Sequence, residues 1–115
     1  MFTNKKSEAF PREKFTTITP GIVFRWPRGA KIVAIDPMIL ALPKALFQKN
    51  EKIGDIVEAD DEMEVAFPPD SENVLLIFQP GMSVTIRKNS ESYLVAKDQT
   101  PRRVKIYEPP NSFAK

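Results

Sequence analysis

The sequence predicts an all-β fold: an antiparallel β-sandwich or a small β-barrel of seven to eight short strands, with at most one short helix near residues 43–49. Two observations lead to this class. Apolar residues recur at every second position through most of the chain, which is the periodicity of half-buried strands. Turn signals separate these segments at intervals of roughly 8–12 residues, the spacing typical of sandwiches and barrels.

The first two predicted strands flank a turn at residues 26–29, where proline suits the first central position and glycine closes the turn. Ile22 and Phe24 lie on one face of the first strand together with Trp26, because alternate residues of a strand point the same way. Residues 31–35 form the second strand. We therefore predict that these two strands pair as a hairpin.

Residues 36–49 depart from this alternation. Asp36 and Pro37 suit the start of a short helical turn. Residues 43–49 place a proline first and good helix formers after it. About two helical turns are predicted there, with an irregular loop as the alternative.

The second half of the chain supplies the remaining strands. Residues 62–67 alternate cleanly, with Met63, Val65 and Phe67 predicted to point inward. Residues 74–78 are apolar on both faces, which is typical of a central strand. A Pro-Gly turn then leads into an alternating segment, so residues 74–88 are predicted as a hairpin. The series ends with strands at residues 93–97 and 104–107.

The chain ends differ from this β domain, which we place at residues 14–108. Residues 1–13 form a polar N-terminal arm, and residues 109–115 form a C-terminal arm stiffened by two prolines. Disorder is one explanation for such ends. The other is that the arms dock on a neighbouring subunit, with Phe2, Phe10 and Phe113 as their anchors.

Charges are sorted along the chain. Residues 51–72 hold nine carboxylates against one cation, Lys52, whereas the rest of the chain holds six carboxylates and sixteen Lys or Arg. The formal net charge of +2 therefore conceals segments of about −8 and +10. Separated charges of this size steer partners and orient copies of a protein, provided that they stay apart in the folded state.

Two candidate interaction patches follow from this distribution. The acidic patch is predicted to contact other proteins. Its residues are Asp55, Glu58, Asp60, Asp61, Glu62 and Glu64. The basic patch combines cations with an aromatic side chain, as phosphate and base binders do, and would contact protein or nucleic acid. Its residues are Arg25, Trp26, Arg28, Lys31, Arg87, Lys88, Arg102, Arg103 and Lys105. The alternative for Trp26 is a place in the core, with the arginines solvating strand ends.

The residue types that are missing argue against catalysis. The chain has no Cys and no His, which removes the commonest nucleophile, general base and transition-metal ligand. The four glycines stand alone and form no phosphate-binding loop. Glu62 and Glu64 share a strand face, but as solvated acids rather than as a catalytic pair. A calcium site at residues 60–62 is only weakly indicated. We expect no enzyme activity, no cofactor and no metal.

These observations predict a non-enzymatic structural protein that assembles with itself or with other subunits, such as a capsid, decoration or tail component of a virus or phage particle. The predicted alternative is a single-stranded nucleic-acid-binding domain of the OB type. A carbohydrate- or peptide-binding sandwich is the third candidate. No apolar segment suggests a secretory signal or a membrane partner, so we expect the protein in the cytoplasm or in an assembled virion. Contacts between charged patches are expected to weaken in salt.

Overall fold

The structure of this chain, a computed structural model, describes residues 12–108. The predicted arm anchors Phe2, Phe10 and Phe113 lie outside this range. Ten strands form two antiparallel sheets of five strands each, which do not close into a barrel. The predicted sandwich is therefore confirmed, and the barrel alternative is not found.

Sheet A contains strands β1 (Arg12–Ile18), β3 (Lys31–Ala34), β5 (Val57–Ala59), β8 (Ser83–Ile86) and β10 (Arg102–Glu108). Sheet B contains strands β2 (Val23–Trp26), β4 (Met38–Pro43), β6 (Glu64–Ala66), β7 (Asn73–Phe78) and β9 (Ser90–Leu94). The strand order is β1-β10-β3-β8-β5 in sheet A and β2-β9-β4-β7-β6 in sheet B. Without the short edge strands β5 and β6, this is the order of the eight-stranded jelly roll.

Both predicted hairpins are wrong, although their turns and strands exist. The strands on either side of residues 26–29 lie in different sheets, because β2 pairs with β9 while β3 pairs with β10 and β8. The Pro-Gly turn at residues 80–81 likewise carries the chain from β7 in sheet B to β8 in sheet A. A turn signal shows where a strand ends, whereas its neighbour in the sheet is chosen by long-range packing.

Three strands were not predicted. β1 is mostly polar, β5 has three residues, and β4 occupies residues where a helical turn was expected. β1 also begins at Arg12, two residues before the predicted start of the domain. The predicted helix near residues 43–49 is a single 3₁₀ turn, Lys44–Leu46. A second short turn, α1 (Ile53–Ile56), precedes β5.

The core lies between the inner faces of the two sheets. Trp26, Phe78, Leu40, Leu76 and Ile32 are among its largest fully buried side chains. The Trp26 indole Nε1 donates a hydrogen bond to the Ala30 carbonyl oxygen at 3.0 Å, which satisfies the one polar group of that ring. Burial alternates along the strands, so the residues between the core positions form two outer sheet faces.

Candidate interaction surfaces

The acidic segment, residues 51–72, belongs to the connection between β4 and β7. This connection adds β5 beside β8 at one edge of sheet A and β6 beside β7 at one edge of sheet B. The segment therefore runs along one side of the sandwich. It forms part of both sheets and does not project as a separate acidic loop.

Three ion pairs join this acidic segment to cations of the basic patch. Lys31 contacts Asp60 at 2.8 Å, Arg87 contacts Glu58 at 3.2 Å, and Lys88 contacts Glu51 at 2.7 Å. All three cations flank or lie in sheet A, whose edge strand β5 carries Glu58. Acidic and basic segments that are separate along the chain thus partly neutralise each other in the folded protein.

Hydrogen bonds hold two of these carboxylates in place. Asp60 accepts from the Lys31 ammonium and from the Ser83 hydroxyl (2.6 Å), and both bonds lower the pKa of Asp60. Glu51 accepts from the Gln48 backbone N–H (2.8 Å) and from Lys88, which lowers its pKa as well. Both carboxylates therefore stay ionised and bound to the sandwich.

Other cations of the basic patch also pair with nearby carboxylates. Arg25 pairs with Glu91 at 2.9 Å, Arg102 with Asp98 at 3.0 Å, Arg103 with Asp36 at 2.9 Å, and Lys105 with Glu13 at 3.3 Å. Arg28 makes no ion pair within residues 12–108. Seven of the eight cations of the predicted basic patch therefore lie in local ion pairs on different elements within residues 12–108.

Arg103 and Asp36 form the most extensive of these contacts. The guanidinium donates from Nε (3.0 Å) and Nη2 (2.9 Å) to the two carboxylate oxygens, and the Arg103 backbone N–H donates to Oδ2 at 2.9 Å. These hydrogen bonds lower the pKa of Asp36 to about 2. The contact attaches the connection between β3 and β4 to β10 of sheet A.

Trp26 takes the core position that the sequence left as an alternative. Only 1 % of its surface is exposed, so the ring is not a platform on which a base could stack. The exposed aromatic side chains of residues 12–108 lie elsewhere: Phe15 on sheet A, Tyr93 on sheet B, and Phe67 directly after β6. They do not share a sheet face, as a carbohydrate-binding surface would require.

The residues of the acidic patch also differ in whether they have partners within residues 12–108. Glu58 and Asp60 are paired, and Asp55 accepts a hydrogen bond from the Lys52 backbone N–H (2.7 Å) at the start of α1. Asp61, Glu62 and Glu64 are exposed and make no ion pair within residues 12–108. In that part of the chain no group of three or more His, Cys, Asp or Glu side chains is arranged to hold a metal ion.

The outer face of sheet A is charged and mixed. Glu13, Lys105, Lys31 and Thr85 lie on this face, together with the exposed ring of Phe15. The Lys105 ammonium lies 5.3 Å from the centroid of the Phe15 ring as well as pairing with Glu13. The charged side chains Glu13, Lys31 and Lys105 of this face therefore already have partners within the same chain.

The outer face of sheet B is apolar over two neighbouring rows and carries the exposed Arg25–Glu91 ion pair in the row beside them. One row crosses all five strands through paired residues, and it contains no charge. It runs Val23, Tyr93, Ala41, Leu75 and Ala66. The next row contains Val95, Ile39 and Ile77 and ends at Glu64 on the edge strand β6.

These side chains are partly open to solvent. Tyr93 is 45 % exposed, Val95 42 % and Val23 36 %, and Ile39, Leu75 and Ile77 are half-buried. Contiguous apolar surface of this kind marks contact sites on proteins. We call the eight apolar residues of the two rows the sheet B face.

Sequence reasoning missed the sheet B face, although a signal was present. Residues 74–78 are apolar at every position, a pattern that predicts a strand buried on both sides. β7 is buried on one side only: Val74, Leu76 and Phe78 are core, while Leu75 and Ile77 face outward. Met38–Leu42 in β4 is likewise apolar at every position, with Ile39 half-buried between the buried Met38 and Leu40. The inward prediction for Phe67 is also wrong, because 55 % of that side chain is exposed.

Two concavities flank the end of β2. A groove of about 590 Å³ is lined by Trp26, Pro27, Pro43, Leu46 and Asn89, among others. A cavity of about 220 Å³ lies between the sheets and reaches Glu108 at the end of β10. Arg25, Trp26 and Pro27 line both, so the two concavities adjoin along this strand end.

Comparison with known proteins gives no assignment: no protein-family model, curated protein or solved structure matches this chain. None of the helices in residues 12–108 has the length and apolar character needed to cross a membrane.

Proposed function

We propose that this chain is a non-enzymatic assembly protein whose sheet B face packs against a second copy of the chain. One observation carries the proposal: an uncharged row of apolar side chains crosses all five strands on the outside of sheet B. A second copy presents the same apolar surface, so one chain supplies both sides of an isologous contact.

The energy of this contact comes from apolar burial. Fully burying a Val, Leu or Ile side chain contributes about 1.5–3 kcal/mol, so a half-exposed one contributes about 1 kcal/mol on association. Val23, Leu75, Ile77 and Val95 supply several such increments, and Tyr93 adds a larger side chain. The sum has to exceed the loss of translational and rotational freedom on binding.

Electrostatic attraction has a smaller part than the sequence predicted. The exposed ion pairs already satisfy most cations of the basic patch, and each such pair is worth little by itself. Association through the sheet B face should therefore persist in high salt. Contact between charged patches would instead weaken as the Debye length falls below about 10 Å above 0.1 M salt.

A virus or phage particle is the setting that we propose for such a subunit. The jelly-roll strand order occurs in capsid subunits, and also in lectins and cupins, so this step rests on analogy of fold. The lack of His and Cys favours a structural role over a catalytic one. Assembly in the cytoplasm, followed by incorporation into the particle, is consistent with both features.

No observation favours the nucleic-acid alternative. It requires free cations beside an accessible aromatic ring, whereas Trp26 is buried and the neighbouring Arg25 pairs with Glu91.

Size-exclusion chromatography with light scattering tests the proposal. The full-length chain should associate. Ile77→Lys should shift it toward monomer, because this substitution places a cation within the apolar sheet B face. The new side chain lies opposite Glu64 of the neighbouring strand. The matched control is Thr85→Lys on the outer face of sheet A, where the new cation lies opposite Glu58 of the neighbouring strand. This control should leave association unchanged.

Three outcomes decide the matter. Association that is lost in Ile77→Lys and retained in Thr85→Lys and in 1 M salt supports the proposal. A full-length chain that stays monomeric at all concentrations rejects it. Association that both variants retain, or that salt abolishes, assigns the contact to another surface.

A further inference from the structure

We infer that β1, an edge strand of sheet A, pairs antiparallel with β1 of a second copy, so that the two Phe15 side chains lie directly opposite each other. This contact uses a different surface from the sheet B face and does not depend on it. Three features of β1 support the pairing: the length of its open edge, the exposure of Phe15, and the register that its charges allow.

The open edge of β1 is the longest in the sandwich. Among the described residues β1 pairs only with β10, along all seven residues of Arg12–Ile18. The other edge strands, β2, β5 and β6, have four, three and three residues. On the outer side of an edge strand, backbone N–H and C=O groups have no partner in the sheet and can bond to another strand. The β1 edge therefore offers the most such groups.

Phe15 lies at the middle of this edge. It is the most exposed of the bulky apolar side chains in residues 12–108, at 64 %. Its ring is on the outer face of sheet A, because Thr16 and Ile18 on either side of the next position point inward. Opposite its own counterpart it would form an aromatic cross-strand pair, which contributes about 0.2–1 kcal/mol. Pairing therefore removes apolar surface from water that the single chain leaves exposed.

The charges on β1 are directed toward the neighbouring strand of the same chain. Charged side chains on an edge strand commonly oppose pairing with another strand. Here Glu13 pairs with Lys105 at 3.3 Å, and Lys14 pairs with Glu108 at 3.4 Å. Lys105 and Glu108 both belong to β10, on the side of β1 away from the open edge. These two charges therefore leave the open edge accessible to another strand.

Symmetry restricts the register. Opposite residues of an antiparallel pair point to the same side of the sheet, so a two-fold axis between identical strands passes through a residue position. An axis at Glu13 or Lys14 would place like charges opposite each other, which is destabilising. An axis at Phe15 avoids this and is the only one that pairs all seven residues of β1. Glu13 then lies opposite Thr17 of the second copy, and the two copies of sheet A continue into each other.

This edge contact is weaker than the contact proposed for the sheet B face. It consists of about six to eight backbone hydrogen bonds, whose net contribution is about 0.5–1.5 kcal/mol each, and of little apolar area. The loss of translational and rotational freedom offsets much of this gain. Where the sheet B contact also forms, the two isologous contacts would together link copies beyond a dimer. That extension alone rests on the proposed function.

Disulfide trapping detects a weak contact and suits the full-length chain, which has no native cysteine. Glu13→Cys and Thr17→Cys are prepared as separate proteins, so that Phe15 stays in place. Mixed and oxidised, they should form a linked dimer of one copy of each, because opposite Cα atoms lie about 4.5–5.5 Å apart, within disulfide reach. Each variant alone should stay unlinked, since the register separates its two cysteines by about 13 Å along the strand. Non-reducing electrophoresis and mass spectrometry measure both.

Matched substitutions check that the β1 edge is the cause of the link. Phe15→Glu in both proteins places like charges opposite each other and should lower the linked fraction about tenfold. Phe67→Glu changes another exposed phenylalanine, directly after β6, and should leave the linked fraction unchanged. Lys97→Cys lies in the exposed connection between β9 and β10 and should not link to Thr17→Cys.

The outcomes separate this contact from the sheet B face. A link that forms in the mixture, and forms equally when both proteins carry Ile77→Lys, supports pairing at β1. No link in the mixture, or equal linking by either variant alone, contradicts it. A link in the mixture together with a native chain that elutes as a monomer at all concentrations would support the edge contact and reject the sheet B contact.

Discussion

The two sheets of this sandwich have similar inner faces, whereas their outer faces differ in composition: the outer face of sheet A is mostly charged, and that of sheet B is mostly apolar beside one ion pair, Arg25–Glu91. Outside sheet A, Lys31 and Lys105 are each held by a carboxylate of the same chain. Outside sheet B, Tyr93, Leu75 and their neighbours have no such partners and remain partly exposed. Charge on a folded chain can be satisfied locally, whereas exposed apolar surface is removed from water only by a further layer or another molecule.

The acidic segment shows the same contrast within one connection. Its β5 end belongs to sheet A and carries Glu58 and Asp60, which pair with cations. Its β6 end belongs to sheet B and carries Glu64 at the border of the apolar rows. The same segment thus supplies carboxylates that pair with Lys31 and Arg87 beside sheet A, and a carboxylate, Glu64, at the border of the apolar rows of sheet B.

The largest expected effect separates the two sides of β7. Leu76→Ala should lower the free energy of unfolding by about 2–5 kcal/mol at any protein concentration, because Leu76 is fully buried in the core. Leu75→Ala should lower the free energy of unfolding of the monomer by less than about 1 kcal/mol. The decrease should be larger at concentrations where the chain associates. Guanidinium unfolding at two protein concentrations measures both. Equal costs for the two variants would contradict the division into core and outer residues.

A smaller effect is expected in the interior that the two sheets share. The Ser92 hydroxyl is fully buried and has no hydrogen-bond partner among the described residues. Ser92→Ala should therefore raise the free energy of unfolding by about 1 kcal/mol, because an unsatisfied buried polar group is removed. Chemical denaturation with an unchanged m-value checks this. A destabilised variant would mean that the hydroxyl has a partner in solution.

Acid should affect the ion pairs of sheet A and leave the apolar sheet B face unaffected. The pKa of Asp36 is lowered from its ordinary value of 3.8 to about 2 by hydrogen bonds from Arg103. A carboxyl whose pKa is lower in the folded state contributes stability that is complete above pH 4 and is lost as the pH falls toward 2. Asp36→Asn should therefore reduce the stability measured at pH 5 and flatten its decline between pH 4 and 2.

Unfolding curves from pH 2 to 6 for the native chain and for this variant provide the measurement. Asp61→Asn serves as the control, because Asp61 is exposed and makes no ion pair within residues 12–108. If the two variants show the same pH dependence, the Arg103 contact does not stabilise the folded state in the way inferred.

The smallest effect is expected from a single contact outside sheet A. Lys105 pairs with Glu13 and lies over the Phe15 ring, and the hydrogen bond to Glu13 raises the pKa of Lys105. Lys105→Met should lower Tm slightly in low salt, and less in high salt, because exposed pairs are screened. A double-mutant cycle with Glu13→Gln isolates the pair. A coupling that 1 M salt leaves unchanged would contradict the electrostatic origin of this contact.

Much of the fold was accessible from local signals. Alternation placed Val84 and Ile86 inward, the turn residues at 26–29 and 80–81 ended their strands correctly, and the sandwich class was right. The candidate site was less accessible. The residues of the sheet B face resemble core residues in composition, and the ion pair of Lys31 with Asp60 joins groups 29 positions apart.

By itself, the amino-acid sequence determined the approximate positions of seven of the ten described strands, which side chains alternate in them, and which chemistries the missing His and Cys make improbable. Only the tertiary structure decided which sheet each strand joins, that β6 and β7 are successive neighbours in one sheet while the other consecutive described strands change sheets, and which apolar side chains remain outside. The physical reason is that backbone conformation and turns depend on neighbouring residues, whereas pairing, burial and charge neutralisation depend on groups that only the folded chain brings together.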